Sequence, residues 1–422
     1  MMKLRTYFIV LLFCAAAVIA SPAQNKLAFT TLASFNGTDG DRPAYMTLIQ
    51  HRDGNFYGTT AGGGANSNDI CDLYSPGCGT IFKITPAGAL TALYSFCSLP
   101  GCADGAVPLG GLVLGSDGNF WGATAMGANP NCTRGCGTVF KITLGHTPGA
   151  MTTLHSFDGT DGAQPNAPLV QASDENFYGT AYSGGDYGAG TVFKITLRGA
   201  LSTVYSFQGS PADGANPYAG LVQDPTDGSF YGTTYFGGAN GAGTVFKITA
   251  EGVEHVLYSF CSEPSCADGG YPYAGLVLGT DGNFYGTTYF GGIYNSGCMY
   301  GCGTVFKITL SHTQGTLTTL HSFQGHPTEG SNPAAGLVQA TDGNFYGTTA
   351  YGGGGANADW GTVFKITPAG SLTTSHTFCI TGVCNEGVGP LGGLLQTSFG
   401  LLYGTTEVGG AYQGGTIYSL LP

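Results

Sequence analysis

The sequence predicts an all-β fold, a seven-bladed β-propeller with four antiparallel strands per blade and the last blade closed by the N-terminal strand. Three observations carry this expectation: a phrase that recurs seven times, a composition suited to short strands and tight turns, and chain ends that supply complementary parts of one unit.

The recurring phrase is NFYGTT at Asn55, Asn283 and Asn344, NFWGAT at Asn119, NFYGTA at Asn176, SFYGTT at Ser229 and LLYGTT at Leu401. Successive copies lie 53 to 64 residues apart, so variable insertions separate fixed elements. Short strand-like segments at this repeat length read as propeller blades. Glycine accounts for 74 of the 422 residues, which disfavours long helices. Only 9% of residues are charged while 42% are hydrophobic, a balance that excludes a disordered chain.

Each unit holds four segments. Strand a is a short apolar run such as GLVQ at 220–223. An Asp-Gly turn follows at Asp53, Asp117, Asp227, Asp281 and Asp342, a strong hairpin signal because the turn needs positive φ. Strand b is the NFYGTT phrase. Strand c is GTVFKIT or a close variant, beginning at Gly79, Gly137, Gly190, Gly243, Gly303, Gly361 and, as GTIYSLL, Gly415. Strand d ends at Phe96, Phe157, Phe207, Phe260, Phe323 and Phe378. β-Branched and aromatic residues dominate these segments. The seventh strand c is followed by no strand d, whereas FTTLASF at 29–35 matches one. Ring closure between the two ends is the natural expectation, since it removes the exposed edges of an open stack.

The DGNFYGTT and GTVFKIT phrases resemble the GloVer tandem repeat of Gloeobacter and Verrucomicrobia proteins, over nearly the whole chain after the leader. The resemblance implies an exported bacterial protein of unassigned activity. Many relatives carry a C-terminal sorting or anchor segment; this sequence departs from that pattern, so free secretion or a periplasmic location is expected. The form is also similar to streptogramin-lyase-type propellers, in fold only.

Residues 1–20 read as a secretory signal peptide, with Lys3 and Arg5 before an apolar run and small residues up to Ala20. Residues 21–26 form a short linker and 27–422 a single propeller domain. The apolar run is short for a membrane span, and no transmembrane segment is expected in the mature chain. Removing the two leader charges takes the formal net charge from −12 to −14. That balance argues against nucleic acid and anionic membrane surfaces as partners. Twelve cysteines outside the leader fall into six close pairs: Cys71/Cys78, Cys97/Cys102, Cys132/Cys136, Cys261/Cys266, Cys298/Cys302 and Cys379/Cys384. In an exported chain these read as disulfides, each closing a small loop worth about 2 kcal/mol on the chain-entropy model. The spacings do not match zinc knuckles, and no metal or cofactor is expected.

Residues that repeat in six or all seven blades read as architecture. The aromatic pair of strand b, Phe56/Tyr57 and its counterparts, is expected between blades. The strand c lysines, Lys83, Lys141, Lys194, Lys247, Lys307 and Lys365, belong at blade edges. The acid-Gly-x-x-Pro of each d–a connection (Asp39, Asp104, Asp161, Asp213, Asp268, Glu329 and Glu386) suits a turn acceptor better than a cation ring. His155, His321 and His376 occupy a strand d slot that is tyrosine at 94, 205 and 258, and His146 and His312 lie in c–d turns.

Function is expected on the face carrying the b–c and d–a loops. All six cysteine pairs and every long insertion fall there, and binding residues favour loops on rigid scaffolds. Aromatics that break the repeat cluster in these loops: Tyr182, Tyr187, Tyr235, Phe236, Tyr289, Phe290, Tyr294, Tyr351 and Trp360. Exposed rings with little charge suit sugar faces or extended polymers. The leading expectation is a secreted, monomeric, non-enzymatic binding or scaffold protein engaging a glycan or protein through Tyr182, Tyr235, Phe236, Tyr289, Phe290, Tyr351 and Trp360. The alternative is a glycoside hydrolase or lyase using acids of the same face, Asp69, Asp72, Asp186, Asp359 or Glu407, which needs two carboxyls about 5–10 Å apart.

Overall fold

The structure, a computed structural model, describes residues 29–71, 76–144, 150–294, 297–311, 314–353, 359–380 and 382–422. The expected leader and linker, Asp72, His146 and His312 lie outside the described residues. Seven four-stranded antiparallel sheets form a closed ring. Blade 4 shows the pattern: strand a Val222–Gln223, strand b Phe230–Thr234, strand c Thr244–Ile248 and strand d Glu254–Ser259. Strand a is shorter than the apolar run suggests. Proline and glycine just before it turn the chain along the ring's inner wall, where it packs on its neighbours instead of joining the ladder.

The seventh blade is made from both ends of the chain. Phe29–Ser34 pairs with Thr416–Leu420, placing Phe29 opposite Leu420 and Ser34 opposite Thr416. The contact continues to the next blade: Thr405 Oγ1 donates to Pro43 O at 2.8 Å, and Phe35 meets Phe82 edge-on at 5.0 Å.

The strand b aromatics form the core between blades. The tyrosine or tryptophan of one blade lies against the phenylalanine of the next: Tyr57 on Phe120 at 4.7 Å, Trp121 on Phe177 at 4.2 Å, Tyr178 on Phe230 at 4.2 Å, Tyr231 on Phe284 at 4.3 Å and Tyr285 on Phe345 at 4.0 Å. Tyr403 on Phe56, at 4.3 Å, closes the circle. A second ring lies further out, where the terminal phenylalanine of strand d meets the strand c aromatic of the next blade, as in Phe260 and Phe306 at 5.2 Å.

The polar ends of these rings are bound to the turns. Tyr57, Tyr178, Tyr285 and Tyr346 donate to Asp53, Asp174, Asp281 and Asp342. Trp121, the one substitute for tyrosine, keeps the bond through Nε1 to Asp117. Lys194, Lys247 and Lys365 reach the turn carboxylates of Asp174, Asp227 and Asp342 at 2.7–2.8 Å, so the recurring lysine is a blade-edge partner of the turn. These donors hold the Asp174 carboxyl down at about 2 against the desolvation that opposes them.

The d–a acids act as turn acceptors. Asp268 is nearly fully buried and accepts from Tyr258, from both the backbone and hydroxyl of Ser262, and from Glu263 N. Asp104 and Asp213 are bound in the same way. Where strand d carries histidine, the imidazole takes the tyrosine's place: His155 meets Asp161 at 2.6 Å, His321 meets Glu329 at 2.9 Å and His376 meets Glu386 at 3.3 Å.

All six expected disulfides are present: Cys71 with Cys78, Cys97 with Cys102, Cys132 with Cys136, Cys261 with Cys266, Cys298 with Cys302, and Cys379 with Cys384. More than half of these sulfurs lie deep in the fold. Cys71, Cys78, Cys102, Cys136, Cys298, Cys302 and Cys379 are buried. The physical reason is main-chain anchoring at the root of strand c. Cys78, Cys136 and Cys302 immediately precede its first glycine, and their carbonyls accept from Val107 N at 2.8 Å, Gln164 N at 2.9 Å and Asn332 N at 2.7 Å. The donors sit one residue before the d–a proline, so these sulfurs lie under the loops and not at their tips. Cys136 and Cys302 are therefore structural anchors with no solvent exposure, packed against Phe157 and Phe323 respectively.

Candidate functional site

The b–c and d–a loops of each blade are tied together at the base. The residue after strand b donates its N–H to the residue before the d–a proline in every blade, as in Tyr182 to Gln164, Tyr235 to Asn216, Tyr289 to Tyr271 and Glu407 to Gly389. Beyond it lies an antiparallel contact between the two loops, extended to a two-residue ladder in Gly214–Ala215 with Phe236–Gly237 and in Gly330–Ser331 with Tyr351–Gly352. Two side-chain positions therefore repeat seven times near the axis, one after strand b and one after the proline.

Their occupants differ around the ring. After strand b stand Ala61, Ala125, Tyr182, Tyr235, Tyr289, Ala350 and Glu407; after the proline, tyrosine appears at 218 and 273. Blade 1 has one extra residue between Pro43 and Leu48, and there Tyr45 adopts a left-handed conformation with φ 60°. In a ring of seven, blade 1 faces blades 4 and 5. Tyr45 crosses the axis to meet Tyr273 at 5.5 Å and Tyr218 at 6.2 Å.

Those three rings join a larger network. Tyr218 and Tyr273 lie 4.0 Å apart; Tyr182 meets Tyr218, Tyr235 and Tyr289 meet Tyr273, and Tyr235 meets Phe236, all at 4.6–5.7 Å. Phe290 continues the series from Tyr289 to Tyr300, with Tyr271 beside it. The arc spans blades 3 to 5 and reaches the blade 6 side of the face. Burial holds the phenols of Tyr45, Tyr273 and Tyr289 above their usual range, so they stay protonated.

Two spaces adjoin the arc. An axial cavity of about 200 Å³ lies beneath Tyr45, Tyr218 and Tyr273, and residues from six blades line it without a charged side chain. A cleft of about 700 Å³ opens between the loops of blades 5 and 6, bounded by Tyr289, Phe290, Met299, Tyr300, Tyr351 and Asp359. Tyr289 borders the cleft and touches Tyr273 at the cavity, so the two spaces meet along one wall.

Of the aromatics singled out in the sequence, Tyr182, Tyr235, Phe236, Tyr289 and Phe290 lie in the ring network and Tyr351 lines the cleft. Trp360 is exposed on the same loop as Asp359. Sequence reading missed Tyr45, Tyr218, Tyr271, Tyr273 and Tyr300. The tyrosines after Pro217 and Pro272 and the extra residue after Pro43 are the signals that could have found them.

The acids behave differently. Asp69, Asp186 and Asp359 are exposed in separate loops, and Asp359 accepts the Gly352 N–H at 2.6 Å. Glu407 pairs with Arg42 at 3.8 Å, and burial raises its carboxyl above the usual range. Among the described residues no hydrogen bond or ion pair joins two of these acids, and no group of three or more histidines and acids converges on one point.

A closed seven-bladed ring with one stapled loop face, aromatic along one arc, defines a β-propeller whose variation is concentrated around the axis. The chain belongs to the Gloeobacter/Verrucomicrobia repeat family, whose pattern matches residues 18–145, 128–302 and 293–422. Its fold is similar to that of a fungal alcohol oxidase of the AA5 family solved with copper, at 12% identity and a TM-score of 0.56, covering 93% of this chain and 75% of that one. It is likewise similar to a putative 6-phosphogluconolactonase from Bacteroides uniformis, at 18% identity and a TM-score of 0.50, covering 83% and 89%. These likenesses show a shared fold alone. No curated protein matches the chain.

Proposed function

We propose that the chain is an exported, non-enzymatic binding protein that holds an uncharged glycan along blades 3 to 6 of the loop face. One observation carries this reading: a continuous series of aromatic rings borders an axial cavity that has no charged lining, in a chain of net charge −12. Flat rings with hydroxyl edges stack on sugar faces and hydrogen-bond sugar hydroxyls, and a neutral lining requires no counter-ion. Tyr182, Tyr235, Phe236, Tyr289, Phe290 and Tyr351 supply the stacking surface, with Trp360 on its rim. Six disulfides support an oxidising location outside the cytoplasm, in keeping with the signal-like residues 1–20.

The test is an array of neutral and acidic glycans probed with the mature protein and with Tyr218→Ala and Tyr289→Ala. Neutral glycans should be retained, and each substitution should weaken retention by about tenfold, the equivalent of one aromatic contact of about 1.4 kcal/mol. Retention of acidic glycans alone, or of none, would refute the reading. Release of shortened sugars from the retained glycans would move the assignment to a hydrolase or lyase.

A further inference from the structure

The four sulfurs where blade 1 meets blade 2 differ from the other disulfides. Cys71–Cys78 staples the b–c loop of blade 1, and Cys97–Cys102 staples the d–a loop that follows. Among the described residues no other two pairs bring their four sulfurs together, although the Cys261–Cys266 loop bridges to the loop that carries Cys298–Cys302. Opposite the b–c pairs of blades 2 and 5 the space belongs to glycine: a Cβ on Gly159 would lie 3.7 Å from Cys132 Sγ, and one on Gly325 3.0 Å from Cys298 Sγ. The d–a pairs Cys261–Cys266 and Cys379–Cys384 follow b–c loops that have none. In blade 1 both loops carry a pair, and the four Sγ atoms lie within 4.8 Å of one another.

The surroundings hold the two loops in place around the sulfurs. Cys71, Cys78 and Cys102 are fully buried, and Cys97 is only partly exposed. The two loops are fixed to each other and to strand d by backbone bonds from Val107 N to Cys78 O and from Cys97 N to Gly105 O, and by Asn66 Nδ2 to Phe96 O. A tetrahedral thiolate site with metal–sulfur bonds of about 2.3 Å has sulfur–sulfur edges of about 3.8 Å. The sulfurs of different loops need to close by at most about 1 Å, and each bonded pair needs to open by about 2 Å once reduced, to meet that geometry.

We propose that these four sulfurs form a convertible centre, two disulfides when oxidised and a tetrathiolate site for a zinc-like divalent ion when reduced. Conversion takes two molecules of a dithiol reductant. Each delivers two electrons and two protons to one S–S bond and is itself oxidised to a disulfide. The ion then displaces four thiol protons and forms four metal–sulfur bonds. Cys97, the accessible member, receives the first attack, which frees the Cys102 thiolate beside the second disulfide.

The test uses the mature chain, reduced with dithiothreitol, desalted under nitrogen and titrated with cobalt(II). The expected result is one cobalt per chain with the intense visible bands of a tetrahedral thiolate, displaced by zinc. Cys71→Ser and Cys97→Ser should each abolish the bands, and Cys261→Ser should leave them intact. Alkylation mapped by mass spectrometry covers the case of a reduced chain that loosens: zinc should protect Cys71, Cys78, Cys97 and Cys102 and leave the other eight paired cysteines reactive. A featureless spectrum with equal alkylation of all twelve, or bands that survive Cys97→Ser, would overturn the proposal.

Discussion

Substituting Gly286 by alanine should destabilise the ring even though alanine suits a strand better than glycine. Gly286 lies in the middle of strand b of blade 5, directly opposite Phe306 of strand c. Its φ is not in the left-handed region, so the backbone itself accepts a side chain. The space does not: an added Cβ would lie 2.6 Å from Phe306 Cζ, 3.0 Å from Leu276 Cδ2 and 3.1 Å from Phe306 Cε1. Phe306 has no solvent exposure and is held edge-on by Phe260, so it has nowhere to move. Overpacking a tight core costs about 1–3 kcal/mol, and the stiffer unfolded chain returns about 0.4–1 kcal/mol. The net loss is then about 1–2 kcal/mol, read as a lower urea midpoint at unchanged slope. Adding Phe306→Leu should restore part of the loss as a favourable coupling of at least about 0.5 kcal/mol. Gly282→Ala is the contrast: its φ is +78° with nothing within 4 Å, so its cost is backbone strain that Phe306→Leu leaves untouched. An unchanged or raised midpoint for Gly286→Ala would refute the close-approach explanation of the repeated glycine.

Tyr418→Phe should stabilise the protein by about 1–2 kcal/mol in the same urea assay, because the Tyr418 hydroxyl is buried without a partner and the other six blades carry phenylalanine there. A lower midpoint would show that the hydroxyl is satisfied. Glu254→Gln tests a pH effect: burial raises the Glu254 carboxyl from an ordinary 4.5 to about 7, and its Oε1 has no partner. The folded state therefore holds the proton more tightly than the unfolded state, and native stability falls as pH rises from about 4.5 to 7, with the full penalty present above 7. Discounted for partial exposure, glutamine should add about 1–2 kcal/mol at pH 8 and little at pH 4, measured by thermal unfolding at both. A gain independent of pH would contradict that reasoning.

Legibility in the sequence followed repetition. Features present in most blades, such as the Asp-Gly turn in five and the strand b aromatic pair and the strand c lysine in six, could be assigned because a physical cause acting in blade after blade leaves a repeated mark. Closure was legible for the same reason, since residues 29–35 complete a count that residues 415–421 leave short. The cysteine pairing was legible from spacing, but the depth of Cys136 and Cys302 was not, because it depends on main-chain bonds to a loop about 30 residues further on. The inner wall was harder. The acid-Gly-x-x-Pro segment reads as turn chemistry, which it is, and that reading conceals the aromatic side chain within it at 271 and those just after its proline at 218 and 273. Tyr45 was hidden more deeply. Its neighbours Tyr218 and Tyr273 lie more than 170 residues away in sequence, and only the geometry of a seven-membered ring sets blade 1 across from blades 4 and 5. The acids at 69, 186, 359 and 407 stood out by breaking the repeat, yet breaking a repeat does not bring side chains together.

The most direct test of the account is hydrogen exchange of the mature protein with and without the neutral glycan that it retains best on the array. Slowed exchange is predicted in the loops that carry residues 182–187, 216–218, 235–238, 271–273 and 289–291, and in those bordering the cleft at 326–332 and 351–353. Slowing confined to the a–b and c–d turns, or to the loops of blades 7, 1 and 2 with no change along the tyrosine arc, would contradict it.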